Sequence, residues 1–336
     1  MRIVNAMFAQ GRGGIEQASI DYGEALTLAG HDVLALVHPG SWAEEAQAPG
    51  VAVRAISNRG SWDVFASERI KRAMKAFGAD AAIGHGNRAV TLLRRAARGA
   101  RAPVIGVAHN YSIRRFEGLR AAFGVTDDLA TLLAELGVEK TFTIPNMIRP
   151  TEARPRPAWR TPPGIGAMGR FVAKKGFADF VEALAILKAR GVTFEAALGG
   201  GGEEEASLRA LAAERGVDLR FIGWVEDKAA FFDSIDVFVL PSLHEPFGIV
   251  LLEAFAHGVP AVAAETEGPH EIVQDGEAML VPPGAPAALA NALAALLADP
   301  ARAAEMAQRA RAAAEARYAL PVVSARLDAA LREIVS

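Results

Sequence analysis

Short apolar segments alternate with helix-like segments along this chain, and the alternation limits the possible fold more than any other feature. In the first half, the expected strands are Ile3–Phe8, Val33–Val37, Val51–Ile56, Ala81–Ile83, Val104–Ala108 and Thr141–Ile144. The expected helices between them are Ile15–Ala29 and residues 64–77, 88–98 and 127–136. Strands that alternate with helices form a parallel sheet covered on both faces. The first half is therefore predicted to be an α/β domain.

A proline-rich segment interrupts the pattern and indicates a linker. Six prolines fall between Pro145 and Pro163, a density that neither a helix nor a central strand tolerates. Beyond it, the expected strands are Gly164–Met168, Phe194–Leu198, Leu219–Ile222, Val237–Leu240 and Ala261–Ala263. The expected helices are Phe177–Arg190, residues 204–215, 227–233 and 248–257, and an alanine-rich tail from Pro286. The sequence thus predicts two α/β domains that face each other across a hinge, with a ligand cleft between them.

Composition excludes several classes of protein. Apolar residue types make up 51% of the 336 residues and charged types 22%, so the chain can bury a large core. Since cysteine is absent, disulfide scaffolds, cysteine-ligated zinc and iron–sulfur clusters are excluded. A net charge of −3 does not favour nucleic-acid binding. With neither a secretory signal nor an apolar run of about 18–20 residues, the expected location is cytoplasmic.

Charge is divided unevenly between the two halves. Residues 1–150 carry 18 Lys and Arg against 14 Asp and Glu, a difference of +4, and the remainder carries 18 against 25, a difference of −7. Part of the basic excess lies in the arginines Arg94, Arg95, Arg98, Arg101, Arg114, Arg115 and Arg120. Three interpretations are open: a solvated helix face with a loop, peripheral contact with an anionic inner membrane, or contact with a phosphorylated acceptor.

The first candidate motif is Gly11-Arg12-Gly13-Gly14, between the first expected strand and the first expected helix. Glycines at such a position let backbone amides approach a phosphate or a sugar. The motif is not a dinucleotide fingerprint, because Glu16 replaces the third glycine and no acidic residue follows the second strand. The alternative is an ordinary tight turn.

The second motif is GRFVAKKG, residues 169–176, directly after the first strand of the second domain. Cations at the carboxyl end of a strand and beside a helix start suit a diphosphate. Arg170 can bind two phosphate oxygens at once, and a lysine such as Lys175 supplies a compact charge. The alternative is a basic surface loop.

The third motif is PSLHEPFGIVLLEA, residues 241–254, which runs from a strand end through a tight loop into a helix. Backbone amides at such a helix start lack partners and can bind a phosphate. Glu245 and Glu253, eight positions apart, flank this start, and carboxylates can bind sugar hydroxyls. Because Glu253 lies in an otherwise apolar helix, we expect it to be buried and to need a partner. The alternative is two incidental glutamates around a core helix.

Together, these motifs resemble those of the retaining GT-B glycosyltransferases of family 4, and the resemblance covers most of the chain. The E-x7-E signature matches HEPFGIVLLEAFAHGVPAVA, and the GR…KG element matches GRFVAKKGF. Further matches are GRGGIEQASIDYGEALTLAGHDVLALV near the N-terminus, Ile144-Pro145-Asn146 at the hinge and Phe221-Ile222-Gly223-Trp224-Val225. The resemblance implies two Rossmann-like domains. Residues 1–150 would bind the acceptor and residues 151–319 the donor, with a helix at about 320–336 packed back on the first domain.

The resemblance also implies a donor site. Arg170 and Lys175 would neutralise the donor diphosphate, Glu245 would bind hydroxyls of the transferred sugar, and Glu253 would bind those of the ribose. The remaining donor-binding residues would be Gly13, Gly14, Trp224, Val225, Phe247, Gly248, Ile249 and Val250. Among these, the amides of the last three would bind the distal phosphate, and Trp224 and Val225 would line the base pocket.

Two histidines at strand ends complete the implied site. His109 matches a family histidine near the reacting sugar and joins Glu245, Arg170 and Lys175 in the implied catalytic set. His85 and Asn110 would lie on the acceptor side. Both histidines have an alternative role as hydrogen-bonded structural residues.

As an activity, the resemblance implies retaining transfer of a hexose-type sugar from a nucleotide sugar to a glycan or lipid-linked acceptor. The expected donor carries UDP, with GDP and ADP as alternatives, and the expected pathway is bacterial lipopolysaccharide, capsule or glycolipid synthesis. No D-x-D sequence occurs, so we expect no metal and no further cofactor. The alternatives are a non-catalytic two-domain protein that binds sugars or nucleotides, and a GT-B sugar-nucleotide epimerase.

Overall fold

The computed structural model describes residues 1–149 and 159–336. It divides into two units, the first formed by Met1–Met147 with Tyr318–Ser336 and the second by Ile148–Arg317. Each unit contains one parallel sheet covered by helices, which confirms the predicted α/β class with two Rossmann-like domains. Most of the predicted linker, residues 150–158, lies outside the described residues.

The first unit is built on a seven-stranded parallel sheet. Its strands are β1 Arg2–Met7, β2 Asp32–Val37, β3 Ala52–Ala55, β4 Ala81–His85, β5 Val104–Ala108, β6 Ala121–Gly124 and β7 Lys140–Thr143. The helices between them are α1 Gly14–Leu28, α2 Trp42–Glu45, α3 Val64–Phe77, α4 Gly86–Ala96 and α5 Asp127–Glu135. The strand order is β3-β2-β1-β4-β5-β6-β7, so the direction of winding reverses between β1 and β4.

The second unit repeats this plan with six parallel strands. They are β8 Gly164–Arg170, β9 Glu195–Gly201, β10 Leu219–Gly223, β11 Val237–Leu240, β12 Ala261–Ala264 and β13 Met279–Val281. The helices are α6 Phe177–Ala189, α7 Glu205–Glu214, α8 Lys228–Asp233, α9 Ile249–Ala256, α10 Glu267–Ile272, α11 Pro286–Ala298 and α12 Pro300–Tyr318. The order β10-β9-β8-β11-β12-β13 reverses between β8 and β11.

The chain ends in helix α13, Leu320–Val335, which packs on α1 in the first unit. The Ser324 hydroxyl donates to the Ala25 carbonyl over 2.6 Å. Asp328 lies 3.0 Å from Nε2 of His31, just beyond the end of α1. No helix among residues 1–149 and 159–336 is both long and apolar enough to cross a bilayer.

Two short strands escaped prediction. β6 has the sequence AAFG and β13 has the sequence MLV. Alanine and glycine have low strand propensity, so AAFG gives no local signal. It becomes a strand because it pairs along its whole length with β5 and β7, where all four residues are buried.

The strand order explains where binding residues collect. Ligands of open α/β sheets bind beyond the carboxyl ends of the strands, at the point where the winding reverses. In the first unit this point lies beyond β1 and β4, and in the second beyond β8 and β11. All three sequence motifs follow one of these strands.

Candidate active site

Two loops meet at the reversal point of the second unit. Residues 171–176 follow β8, and residues 241–248 follow β11. The Leu243 and His244 amides both donate to the Lys174 carbonyl, at 2.8 and 3.2 Å. The second and third motifs, which lie far apart in sequence, therefore form a single structure.

Gly176 makes this close approach possible. Its φ is +63°, and a Cβ atom there would lie 2.0 Å from the carbonyl oxygen of Pro241. That distance is far below any real contact, and a backbone oxygen cannot move aside as a flexible side chain can. The glycine is thus required both for its backbone conformation and for the space that it leaves.

Lys175 and Glu245 form an ion pair where the two loops meet. Glu245 is buried, and the Ser242 hydroxyl donates to its Oε2 over 3.1 Å. The Glu245 amide in turn donates to Oε2 of Glu267 over 3.2 Å. These contacts hold the Glu245 carboxylate in one position while Lys175 offsets its charge.

Arg170 is the last residue of β8 and is exposed. Within the described ranges its guanidinium makes no hydrogen bond or ion pair. Lys175, by contrast, forms an ion pair with Glu245. A cation at this strand end without a carboxylate partner can take an anionic ligand at no cost to an existing pair.

Helix α9 starts directly after this cluster. Its N-cap is Gly248, with φ +100°, and no side chain in the described part of the chain caps the helix. The first amides of α9, from Ile249 and Val250, therefore keep the partial positive charge of a helix N-terminus. Phe247, just before the N-cap, is buried, and its backbone packs closely against Gly268. The arrangement is suited to an anion.

Glu253 has the partner that its position in an apolar helix requires. It is half-buried, and its carboxylate pairs with Lys228 at the start of α8. Trp224 and Val225 follow β10 in the same unit, and the Trp224 side chain is 48% exposed. Val225 packs over Gly199, where a Cβ would come within 2.4 Å of it.

In the first unit, the glycine motif forms the start of α1. Gly13 is the N-cap in an extended conformation, Gly14 is the first helical residue, and no side chain caps the helix. Glu16, which stands at the third glycine position of a dinucleotide fingerprint, is buried in the first turn. The uncapped amides offer donors of the kind predicted.

His85 and His109 end adjacent strands, β4 and β5, and contact each other. Nδ1 of His85 lies 3.0 Å from Nε2 of His109, and Nε2 of His85 lies 2.8 Å from Oδ1 of Asn5. The Asn5 side-chain amide donates to the Ser19 carbonyl over 2.7 Å, which fixes Oδ1 as the atom facing His85.

This chain of contacts determines where the protons lie. Oδ1 of Asn5 only accepts, so Nε2 of the His85 ring must carry a hydrogen. Nδ1 of a neutral His85 then accepts, so His109 donates from its Nε2 and keeps Nδ1 as an acceptor. Burial and the neighbouring His109 hold the pKa of His85 well below its usual value. Burial also lowers the pKa of His109 to about 3.

Asn110 follows His109 directly after the carboxyl end of β5. Its Oδ1 accepts from the Ser112 amide over 3.0 Å, and the Ser112 hydroxyl accepts from Nδ2 of Asn87, in the first turn of α4, over 3.0 Å. The sequence-predicted residues thus form two groups. One lies in the first unit around the two histidines and the glycine turn, and the other lies in the second unit around Glu245.

Several residues that contact the predicted site residues were not predicted, among them Asn5, Ser242, Lys228 and Glu267. For Asn5 a signal exists, because it is the only uncharged polar residue in the apolar strand sequence RIVNAM. Glu267 has no local signal. Burial alone would raise its pKa, but donation from the amides of Glu267 and Glu245 and from His244 keeps that pKa below the usual value.

Two family models match the chain. The model described as Glycosyl transferases group 1 matches residues 150–313. The model described as Glycosyltransferase Family 4 matches residues 12–152. The matched ranges together include all of the motifs discussed above except Gly11, the first residue of the glycine motif.

Among curated proteins, the chain is similar to two from Rhizobium meliloti (strain 1021), both named as lipopolysaccharide core biosynthesis glycosyltransferases. It is 28% identical to LpsD over 314 residues, which cover 90% of this chain and 89% of LpsD. It is 42% identical to LpsE over 140 residues, which cover 41% of this chain and 40% of LpsE.

Solved structures show the same fold. Anabaena Alr3699/HepE in complex with UDP and glucose matches with a TM-score of 0.84 and 20% identity, over 98% of this chain and 99% of that chain. A glycosyltransferase from Rickettsia africae ESF-5 matches with a TM-score of 0.86 and 18% identity, over 100% and 98%.

Proposed function

Because the chain belongs to the family 4 glycosyltransferases, we propose that it transfers a hexose-type sugar from a nucleoside diphosphate sugar to a glycan or lipid-linked acceptor. The anomeric configuration of the sugar is retained. The observation that carries this proposal is the pairing of Lys175 with Glu245 directly before the uncapped start of α9.

The second unit would bind the donor. Arg170 and the first amides of α9 supply positive charge for a diphosphate, whose negative charge grows as the sugar leaves. Lys175 adds to that charge while it positions Glu245. A leaving group stabilised in this way needs no metal ion, and none is proposed.

The two glutamates would bind hydroxyl groups. Ser242 and Lys175 both hold Oε2 of Glu245, so its Oε1 can accept from a hydroxyl of the transferred sugar. Glu253 lies four residues beyond the start of α9, where it and Lys228 suit the ribose. Trp224 and Val225, after β10, are proposed to contact the base.

The first unit would bind the acceptor, with His109 nearest the reaction. Its Nδ1 accepts a hydrogen bond, so a neutral His109 can orient a hydroxyl group without taking part as an acid. His85 acts through His109, and Asn110 lies beside it. In the retaining reaction, the departing phosphate would accept the acceptor's proton, since the sequence motifs single out no pair of carboxylates to serve as nucleophile and acid.

UDP is the proposed nucleotide, with GDP and ADP as alternatives. Structures of HepE with UDP and with UDP-glucose support this choice. The names of LpsD and LpsE support a role in lipopolysaccharide or related glycolipid synthesis. For such a substrate, the proposed location is cytoplasmic, with peripheral contact at the anionic inner membrane.

The test is thermal stability with UDP, GDP, ADP or NAD added to the wild type and to the Lys175→Ala variant. A ligand at about 100 times its dissociation constant stabilises the folded state by roughly 2.7 kcal/mol. We expect a shift with one nucleoside diphosphate, none with NAD, and a smaller shift in the variant. No shift with any nucleotide would contradict the proposal.

The anomeric outcome is tested with the donor so identified. The product, or the sugar released by slow hydrolysis, is followed by proton NMR before mutarotation. Retention predicts the donor's own anomer as the first product. The opposite anomer would overturn the retaining mechanism, and binding without turnover would favour the non-catalytic binding protein.

A further inference from the structure

An arginine-lined surface on the first unit has no role in the function proposed so far. Two adjoining depressions of about 360 and 380 Å³ lie along α4 and share Thr91 and Arg115. The first is lined in part by Trp62, Asn87 and Arg88. The second is completed by the arginines Arg94, Arg95 and Arg98. We call this surface the arginine groove.

The charge of the groove is not neutralised. In the described part of the chain, none of its five arginines pairs with a carboxylate, whereas Arg72, Arg209 and Arg332 on other helices each pair with an acid four residues away. The sequence of α4, GNRAVTLLRRA, contains no acidic residue. These five arginines thus differ from Arg72, Arg209 and Arg332, whose charges are offset by a neighbouring acid on the same helix.

Several of the arginines are held in place without losing charge. The Arg94 guanidinium donates to the carbonyls of Arg115 and Glu117 over 3.0 and 2.9 Å, and Arg88 donates to the Phe8 carbonyl over 3.0 Å. Arg95 likewise donates to the Trp62 carbonyl over 3.0 Å. Carbonyl bonds fix the orientation of a guanidinium but do not offset its charge, so the groove is organised before any ligand arrives.

Arg98 and Arg115 show that the arginines of the groove do more than hold loops together. Within the described residues, neither side chain makes a hydrogen bond or an ion pair. Both line the second depression with their donors available. Guanidinium groups in this state bind phosphate or carboxylate through two parallel hydrogen bonds.

The first turn of α4 connects the groove to the histidine pair. Helix α4 starts at Gly86, immediately after His85, and Asn87 is linked through Ser112 to the loop that carries His109. From Arg88 to Arg95 the helix rises roughly 10 Å, at about 1.5 Å per residue, and Arg98 lies just beyond the end of the helix at Ala96. A ligand along the groove would therefore extend from the histidine pair for the length of a short oligosaccharide.

We propose that the arginine groove binds phosphate or carboxylate groups of the acceptor, so that the acceptor is an anionic sugar chain. This inference rests on the proposed function, which places acceptor binding in the first unit. The depressions have the size of ordinary ligand pockets, about 300–1,000 Å³. Trp62, with a 66% exposed side chain at the rim, offers a ring face for a sugar.

An anionic membrane is the competing ligand for the same charges. Trp62 and Phe65, both exposed, would suit a lipid interface. The concave shape favours a sugar chain, because a flat bilayer cannot place its phosphates inside two depressions while Arg94 and Arg95 remain tied to the loops that form their walls.

The experiment measures binding of defined probes to the full chain by calorimetry at low salt. The probes are trigalacturonate and mannose 6-phosphate as anionic sugars, maltotriose as the neutral sugar, and vesicles of phosphatidylglycerol or phosphatidylcholine. The variants are Arg98→Gln and Arg115→Gln, singly and together. Their side chains hold no other part of the structure, so folding is retained. The control is Arg72→Gln on α3.

We expect at least one anionic sugar to bind about tenfold more tightly than maltotriose, and the double variant to lose about tenfold or more of that affinity. Arg72→Gln should leave it unchanged. Equal binding of neutral and anionic sugars, or equal loss in all variants, would overturn the proposal. So would binding of phosphatidylglycerol vesicles without binding of either anionic sugar.

UDP-dependent thermal stabilisation separates this inference from the proposed function. If the wild type and the groove variants are all stabilised by UDP but no anionic sugar binds, only the groove assignment fails. If UDP, GDP and ADP all fail to stabilise the wild type, the proposed function fails first. Salt should weaken anionic-sugar binding in the wild type and have less effect on the double variant.

Discussion

His109 donates from Nε2 to Nδ1 of His85 over 3.0 Å, and the direction of this hydrogen bond is set 80 residues away in sequence by Asn5. Because the side-chain nitrogen of Asn5 donates to the Ser19 carbonyl, it is the side-chain oxygen of Asn5 that faces His85. The proton positions at the end of β4 and β5 thus follow from a backbone carbonyl in α1. Asn5 is therefore a positioning residue for the histidine pair.

Asn5→Asp tests this relationship. A carboxylate in place of the amide favours a protonated ring, so the pKa of His85 should rise from its depressed value toward or above the usual one. A protonated His85 donates from its Nδ1, so Nδ1 of His109 is no longer fixed as a hydrogen-bond acceptor. We therefore expect the fall in kcat to exceed the change in KM. Imidazole proton NMR during a pH titration gives the His85 pKa. Asn58→Asp, at another buried asparagine of the same unit, should leave it unchanged. An unchanged titration in both variants would contradict the positioning role.

Stability should fall in mild acid because two histidines are held neutral. The folded-state pKa of each is below the unfolded value of about 6.5, so the unfolded chain binds more protons as the pH drops. For His109 the loss amounts to about 1.4 kcal/mol by pH 5.5 and continues toward its folded pKa of about 3. His85 adds a loss of the same sign. Urea unfolding at several pH values measures it. His109→Asn should reduce the slope.

His31 provides the control for that measurement. Burial and the N-terminal amine lower its pKa in spite of the neighbouring Asp328. His31→Asn should therefore remove a separate part of the acid sensitivity, and the effects of the two substitutions should add. If His109→Asn leaves the slope as it was, the imidazole of His109 is not held neutral.

Much of the fold could be predicted because its signals are local. The alternation of strands and helices, the glycine at a helix start and the proline-rich break each lie within one short segment. The strand AAFG could not be found in this way, since its conformation comes from pairing with β5 and β7. Strand propensity describes a residue, whereas pairing depends on the whole sheet.

The same contrast between local signals and long-range contacts applies to the candidate site. Glu245 and Glu253 could be singled out because their spacing lies within one motif. Their partners could not, since Lys228 is 25 residues before Glu253, and only folding brings it to α9. The sequence indicated that Glu253 needs a partner without indicating which residue it would be.

Lys175 and Lys174 are adjacent cations with different surroundings, which makes them a matched pair for donor binding. Lys175 pairs with Glu245, whereas the Lys174 side chain is exposed. Lys175→Met should weaken UDP binding by about 10- to 100-fold, in line with about 1.5–3 kcal/mol for a hydrogen bond to a charged group. Lys174→Met should change it by less than about threefold. Equal losses in calorimetry would mean that only the total charge of the loop matters.

Gly176→Ala should disrupt the contact between residues 171–176 and residues 241–248, the two loops proposed to bind the donor. A Cβ there would overlap the Pro241 carbonyl oxygen, and Gly191→Ala is the control, since its φ of +75° is equally left-handed but nothing lies within 4 Å. The control should cost about 1 kcal/mol from backbone strain alone, whereas Gly176→Ala adds overpacking and should cost about 3 kcal/mol or more. Thermal unfolding with and without UDP measures both effects. Gly191→Ala should keep its stabilisation by UDP. Gly176→Ala should lose it, because the Lys175–Glu245 pair depends on the contact between the two loops. Similar behaviour of the two variants would show that the close approach to Pro241 is not required.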